Sequence, residues 1–120
     1  MKILVVDDSV AMRLMIIKTL RQAGFGGNDV IQAADGVLGL QAANDEQPDL
    51  ILCDWNMPNM TGIEMLKALR EAGNEVTFGF ITTEAAPPMR KLAKDNGAKF
   101  LISKPFTVKM FEEVLGAVIG

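Results

Sequence analysis

Residues 49–58 read D-L-I-L-C-D-W-N-M-P, a run of four apolar residues that ends on one acid, Asp54, and then breaks at Pro58. The run at 50–53 has no polar residue and is too short for a buried helix, so it reads as a strand covered on both faces, as in a parallel sheet. Asp54 then stands at the carboxyl end of that strand. Open parallel α/β sheets take their ligands outside those ends, where the strand order switches. An acid there is a candidate for chemistry.

On the N-terminal side, residues 2–7 begin with another buried run, I-L-V-V, and lead into Asp7 and Asp8. Ser9 offers an N-cap to a helix in which Met12, Met15, Ile16, Thr19, Leu20 and Ala23 share one face, and Gly24 with Gly26-Gly27 closes it. Residues 29–34 form a weaker strand, Asp35-Gly36 a turn, and 37–44 a short helix before Pro48. On the C-terminal side, Thr61-Gly62-Ile63-Glu64 has the spacing of a capping box and opens a helix to Ala72. Residues 76–82 read as a fourth strand, in which Gly79 marks a close approach of another backbone. The residue before a proline avoids the α region, so Pro87 delays the fourth helix to Pro88, and it ends at Asn96-Gly97. Residues 99–103 are the last strand, and Thr107 caps a final helix that turns Phe111, Val114, Leu115 and Val118 inward.

Five strand–helix units imply one α/β domain over residues 1–120: a (βα)5 three-layer sandwich with right-handed crossovers and no separate output domain. If the first and third strands are neighbours, as in the flavodoxin-like order 2-1-3-4-5, the acids at 7, 8 and 54 meet at one crevice with Thr82 and Lys104.

Composition narrows the function classes. With 49% hydrophobic and 22% charged residues the chain is globular, and a net charge of -3 with scattered Lys and Arg gives no footprint for nucleic acid. The single cysteine, Cys53, excludes an internal disulfide and a multi-cysteine zinc site, and reads as a small buried hydrophobe. The N-terminal apolar run is too short for a signal peptide or a membrane span, so a cytoplasmic location and no membrane partner are expected. There is no histidine, which excludes imidazole catalysis and histidine ligation within the chain.

Three carboxylates about 5 Å apart repel by roughly 3 kcal/mol per pair at an effective dielectric of about 20, so the cluster calls for a cation or a proton. A site built from oxygens alone suits a hard ion, and magnesium uses one or two carboxylates while keeping waters for a phosphate-bearing ligand. Lys104, pinned by Pro105, supplies a matching positive charge, and a cis peptide is permitted there. An acid nucleophile, a divalent ion, a lysine and a hydroxyl are the parts of an in-line phosphoryl transfer.

The motifs V-V-D-D-S at 5–9, D-W-N-M-P-N-M-T-G at 54–62, I-T-T-E at 81–84 and K-P-F at 104–106 resemble those of the response-regulator receiver domains of bacterial two-component signalling, over essentially the whole chain. Within that family the 54–60 stretch and the Thr82-x-Glu84 pair look most like the stand-alone chemotaxis regulators. The resemblance implies that Asp54 is the phosphoacceptor for a phosphohistidine on a partner kinase or phosphotransfer protein. It implies Mg²⁺, or Mn²⁺, held by Asp8 and Asp54, by Asp7 through water and by the Asn56 backbone carbonyl. Thr82 and Lys104 would contact the phosphoryl oxygens, and Asn56 and Glu84 would tune dephosphorylation toward a short-lived state. Such a chain catalyses its own phosphorylation and dephosphorylation without turning over an external substrate. It would act as a monomer on a target protein at the face of helix four, strand five and helix five.

The chain departs from the family pattern at two places. Leu101 stands where an aromatic usually swings inward with the threonine, so the Thr82–Leu101 switch lacks its aromatic half, and Phe100 points to the other face of its strand. Pro87-Pro88 should stiffen the segment between strand four and helix four. Met57, Met60 and Met65 are either gap-fillers or an adaptable partner surface. Competing functions are a phosphate sink or adaptor, a magnesium-dependent aspartyl-phosphate phosphohydrolase, and a flavin module. Asn56 lacks the acid/base group a phosphohydrolase would want at that position. Asp7-Asp8 would repel a flavin phosphate.

Overall fold

A computed structural model of the chain describes residues 1–119. Its strands are β1 (Lys2–Val6), β2 (Asp29–Ala33), β3 (Leu50–Cys53), β4 (Thr77–Thr82) and β5 (Phe100–Ser103). They form one parallel sheet in the order β2-β1-β3-β4-β5. The helices are α1 (Val10–Leu20), α2 (Gly36–Glu46), α3 (Gly62–Glu71), α4 (Pro87–Asp95) and α5 (Val108–Ile119), and a π-helical turn, Arg21–Phe25, continues α1.

Alternation along the strands sorts their side chains into two cores. Leu4, Val6, Ile51, Cys53, Phe78 and Phe80 pack toward Ala43 of α2, Met65, Leu66 and Leu69 of α3, and Ala93 of α4. Ile3, Val5, Leu50, Leu52, Ile81 and Ile102 pack toward Ile16 and Leu20 of α1 and Phe111 and Leu115 of α5. Every residue of β3 is buried, which is why its sequence is an unbroken apolar run. Each fully buried Leu, Ile or Phe contributes about 1.5–3 kcal/mol, so these two layers hold the strand ends in place.

Caps set the helix starts. Ser9 Oγ accepts from the Met12 amide at 3.2 Å, and the Thr107 hydroxyl accepts from the Met110 amide at 3.2 Å. Thr61 and Glu64 form the expected reciprocal capping box. Asp35 is also an N-cap, accepting from the Leu38 amide at 2.8 Å, so α2 begins at Gly36 where a turn was expected. Likewise α4 begins at Pro87, one residue earlier than expected, because both prolines fit the first helical turn behind the extended Ala86.

Two packing expectations change. Met15 is 52% exposed, because the buried stripe of α1 runs through Ile16, Thr19 and Leu20 and leaves Met15 at its rim. The close approach at Gly79 comes from a side chain, not a backbone: a Cβ there would lie 2.0 Å from the ring of Phe100, its register partner on β5. That ring belongs to the α1/α5 core while Leu101 faces the α4 side, as alternation requires. Val114 and Val118 of α5 are half-buried, leaving Phe111 and Leu115 as its fully buried residues.

Candidate functional site

Strand register assembles the site. Val6 of β1 is level with Cys53 of β3, so the next residues, Asp7 and Asp54, leave the sheet side by side, and the Asp54 amide donates to the Val6 carbonyl at 2.9 Å. Thr82 of β4 is level with Ser103 of β5, and the Lys104 amide donates to the Thr82 carbonyl at 2.9 Å. The Lys104-Pro105 peptide is cis. One carboxylate oxygen from each of Asp7, Asp8 and Asp54 lies within 4.8 Å of the other two.

The three acids are held differently. Asp7 is buried; its Oδ1 accepts from the Ser9 amide at 2.9 Å and its Oδ2 from Lys104 Nζ at 2.9 Å. Asp54 is partly open, with a side chain 13% exposed. Its Oδ1 accepts from the Trp55 amide at 2.7 Å, and its Oδ2 lies 3.3 Å from Lys104 Nζ. Asp8 is exposed. Lys104 thus bridges two of the three carboxylates and leaves the third without a cation.

Burial pushes the Asp54 carboxyl above its usual range, with the charge of Asp7 adding to it; Lys104, the Trp55 amide and the Thr82 hydroxyl oppose the shift without cancelling it. Burial alone would pull Lys104 down, but its hydrogen bond to Asp7 and the charges of Asp54 and Asp7 hold it above its usual value, so it stays an ammonium. Cys53 is driven well up by burial and by the charges of Asp54 and Asp7 and remains a thiol, in keeping with a buried packing residue.

An oxygen-only cluster with a surplus of negative charge fits a hard divalent cation. At about 4.8 Å and an effective dielectric of about 20 each carboxylate pair repels by about 3.5 kcal/mol, which an added cation would relieve. Thr82 lies at the same strand ends, fully buried, its hydroxyl accepting from the Glu84 amide at 3.1 Å. Asn56 and Glu84 meet side chain to side chain, Nδ2 donating to Oε1 at 2.8 Å, and so link the segments after β3 and β4. Leu101 is not among these groups; half-buried on β5, it packs in the α2–α4 core. Met65 and Met57 are buried in that same core and fill gaps there, while Met60 is half-buried against it.

Sequence reading missed Arg13, whose Nη1 donates to the Asp7 carbonyl at 2.6 Å and Nε to Gln32 Oε1 at 3.0 Å, fastening the acidic loop to β2. The available signal was an arginine one helical turn after the Ser9 cap. It also missed Asn59, which donates to Asp35 at 2.8 Å from a left-handed conformation, φ 69°. Asn is a residue that tolerates this conformation, and its place in a loop after Pro58 was the signal.

Comparison with known proteins agrees with the geometry. The chain is 33% identical to the probable chemotaxis protein CheY of Rhizobium etli, over 99% of this chain and 92% of that protein. It is 36% identical to chemotaxis protein CheY1 of Helicobacter pylori, over 100% of this chain and 98% of that one. The solved structure of the chemotaxis response regulator CheY4 of Vibrio cholerae matches with a TM-score of 0.85 at 37% identity, covering 98% of each chain. Residues 3–115, from the first buried strand to the last core leucine of α5, match the response regulator receiver domain, so the chain belongs to that family, the phosphoacceptor switches of two-component signalling.

Proposed function

We propose that Asp54 is the phosphoacceptor of this receiver and that the chain serves a chemotaxis pathway, as its relatives' names indicate for them. The observation that carries the reading is the position of the Asp54 carboxylate. It is partly open at the end of β3, fixed by the Trp55 amide on one oxygen and flanked by Lys104 on the other. A carboxylate oxygen of Asp54 attacks the phosphorus of a phosphohistidine on a separate kinase or phosphotransfer protein, and the P–N bond breaks as the acyl phosphate forms. The donor histidine is external, since this chain has none.

The chain's own groups supply the charge balance. Lys104, now shared between Asp7 and Asp54, moves onto a phosphoryl oxygen, and the Thr82 hydroxyl meets another. Asp8 and Asp54, Asp7 through water, and the Asn56 carbonyl would hold Mg²⁺ or Mn²⁺, whose charge offsets that of the phosphoryl oxygens. Asn56 and Glu84, bonded to each other, control water access and so the lifetime of the phosphoryl group. A phosphohydrolase reading is not favoured, because Asn56 cannot act as a general acid or base.

The phosphorylated form then changes its fit to a target protein on the face of α4, β5 and α5. A cavity of about 560 Å³ lies there between α4 and β5, lined by Arg90, Lys94, Lys99 and Leu101. Signalling runs from Thr82 to Leu101 without an aromatic switch. Arg90 of α4 donates to the Ala85 carbonyl at 2.9 Å and to the Leu101 carbonyl at 3.2 Å, which ties the segment after β4 to β5. Trp55, 5% exposed and adjoining Asp54, reports on the site. Its fluorescence should respond to Mg²⁺ and then to beryllofluoride, and lose the second response in Asp54→Asn; an unchanged second response would remove Asp54 from the mechanism.

A further inference from the structure

Outside the acidic cluster, the loop between β3 and α3 is fastened at a second point that the phosphoryl-transfer reading leaves unused. The Gly62 amide donates to the Trp55 carbonyl at 2.8 Å and closes the base of the loop. At its tip Asn59, in the left-handed region, donates through Nδ2 to Asp35 Oδ2 at 2.8 Å. The other oxygen of Asp35 is the N-cap of α2. The two backbones are in contact beside this bond: a Cβ on Gly36 would lie 2.3 Å from the Met60 carbonyl oxygen. The Leu38 amide and Asn59 hold the Asp35 carboxyl below its usual range, so it is charged at neutral pH and the bond to Asn59 is charge-assisted.

We infer that the Asp35–Asn59 pair positions the metal site of the receiver: by clipping the loop 55–61 to the start of α2 it holds the Asn56 carbonyl where a divalent cation meets it. Neither residue touches the acids' cluster, so both are positioning residues, and the inference rests on the metal reading proposed above. A left-handed asparagine is strained unless its side chain is engaged, and here the engagement is with a carboxylate rooted in a helix cap. Without the clip, the tip of the loop at 58–60 loses its tie to α2, and the segment is left to the burial of Met57, the Asn56–Glu84 bond and the cation.

The test uses the full chain and Mg²⁺ alone, read by Trp55 fluorescence, together with amide hydrogen exchange of residues 56–60 in metal-free protein and thermal melting. Asn59→Gly keeps the positive φ without strain and removes the side chain that makes the bond, and the exchanged pair below controls for the added backbone freedom. It should weaken Mg²⁺ binding about tenfold, as for one lost charge-assisted hydrogen bond, and speed exchange at 56–60 while the melt stays cooperative. The exchanged pair Asp35→Asn with Asn59→Asp reverses donor and acceptor, keeps a good α2 cap and the total charge, and should restore both readouts to within about threefold of wild type. An Asn59→Gly chain that binds Mg²⁺ and exchanges like wild type overturns the inference, as does an exchanged pair that behaves like Asn59→Gly. A wild type indifferent to Mg²⁺ is a different failure, that of the metal reading itself, and exchange at 56–60 in the metal-free chains still decides whether the clip orders the loop.

Discussion

Replacing Asp54 with asparagine should make the metal-free protein more stable. One Asp54 oxygen lies within 4.8 Å of an oxygen of Asp7 and of Asp8, and two such repulsions amount to about 7 kcal/mol at an effective dielectric of about 20. Lys104, 3.3 Å away, returns about 5 kcal/mol on the same scale, so a penalty of about 2 kcal/mol remains before burial of the carboxylate is added. Asp54→Asn removes it while keeping an oxygen to accept from the Trp55 amide. For a domain of this size the melting temperature in EDTA at neutral pH and low salt should rise by about 5–10 °C. The sign follows from the raised pKa: stability from the Asp54 carboxyl is fully present below its unfolded value and is lost as pH rises through the higher folded value. The amide does not titrate, so the gap between variant and wild type should be widest at neutral pH and should close as pH falls toward the ordinary carboxylate range. Saturating Mg²⁺ should narrow the gap by stabilising wild type more than the variant, which has lost one carboxylate ligand. An Asp54→Asn variant that melts at or below wild type in EDTA would refute the electrostatic account of the cluster.

Lys104→Met strips the buried Asp7 of its ammonium and should cost about 3 kcal/mol in EDTA by denaturant unfolding, with part of the loss recovered by Mg²⁺; a neutral effect would mean that the bridge is not holding Asp7. Gly79→Ala drives a methyl into the Phe100 ring and should cost about 1–3 kcal/mol, a loss that Phe100→Leu in the same chain should largely reverse. With the diproline start of α4 and the two Arg90 bonds in place, beryllofluoride with Mg²⁺ should leave hydrogen exchange of residues 85–90 nearly unchanged, and a large change there would show that this segment does move.

The sheet was legible because β1, β3 and β4 are buried on both faces and therefore read as largely apolar runs, and because Asp7 and Asp54 each sit one residue past the end of theirs. Neighbouring of β1 and β3 was conditional in the sequence, since nothing local fixes strand order; the Val6–Cys53 register settles it. The groups gathered at the strand ends were legible for the same reason, whereas their partners across the crevice were not. Arg13 and Gln32, or Asp35 and Asn59, are joined across gaps of 19 and 24 residues, and no periodicity encodes such a bond. Met15 was misplaced because a helix stripe read from sequence is wider than the strip its neighbours cover, and Gly79 because a missing side chain does not say what fills its space.

The most direct test of the account is to locate the phosphoryl group itself. Incubation with acetyl phosphate, reduction with borohydride and peptide mass spectrometry convert an acyl phosphate into a recognisable alcohol at the residue that carried it. The account predicts homoserine at position 54 in the presence of Mg²⁺ and none in EDTA. Modification at Asp7 or Asp8, or at position 54 to the same extent without a divalent ion, would contradict it.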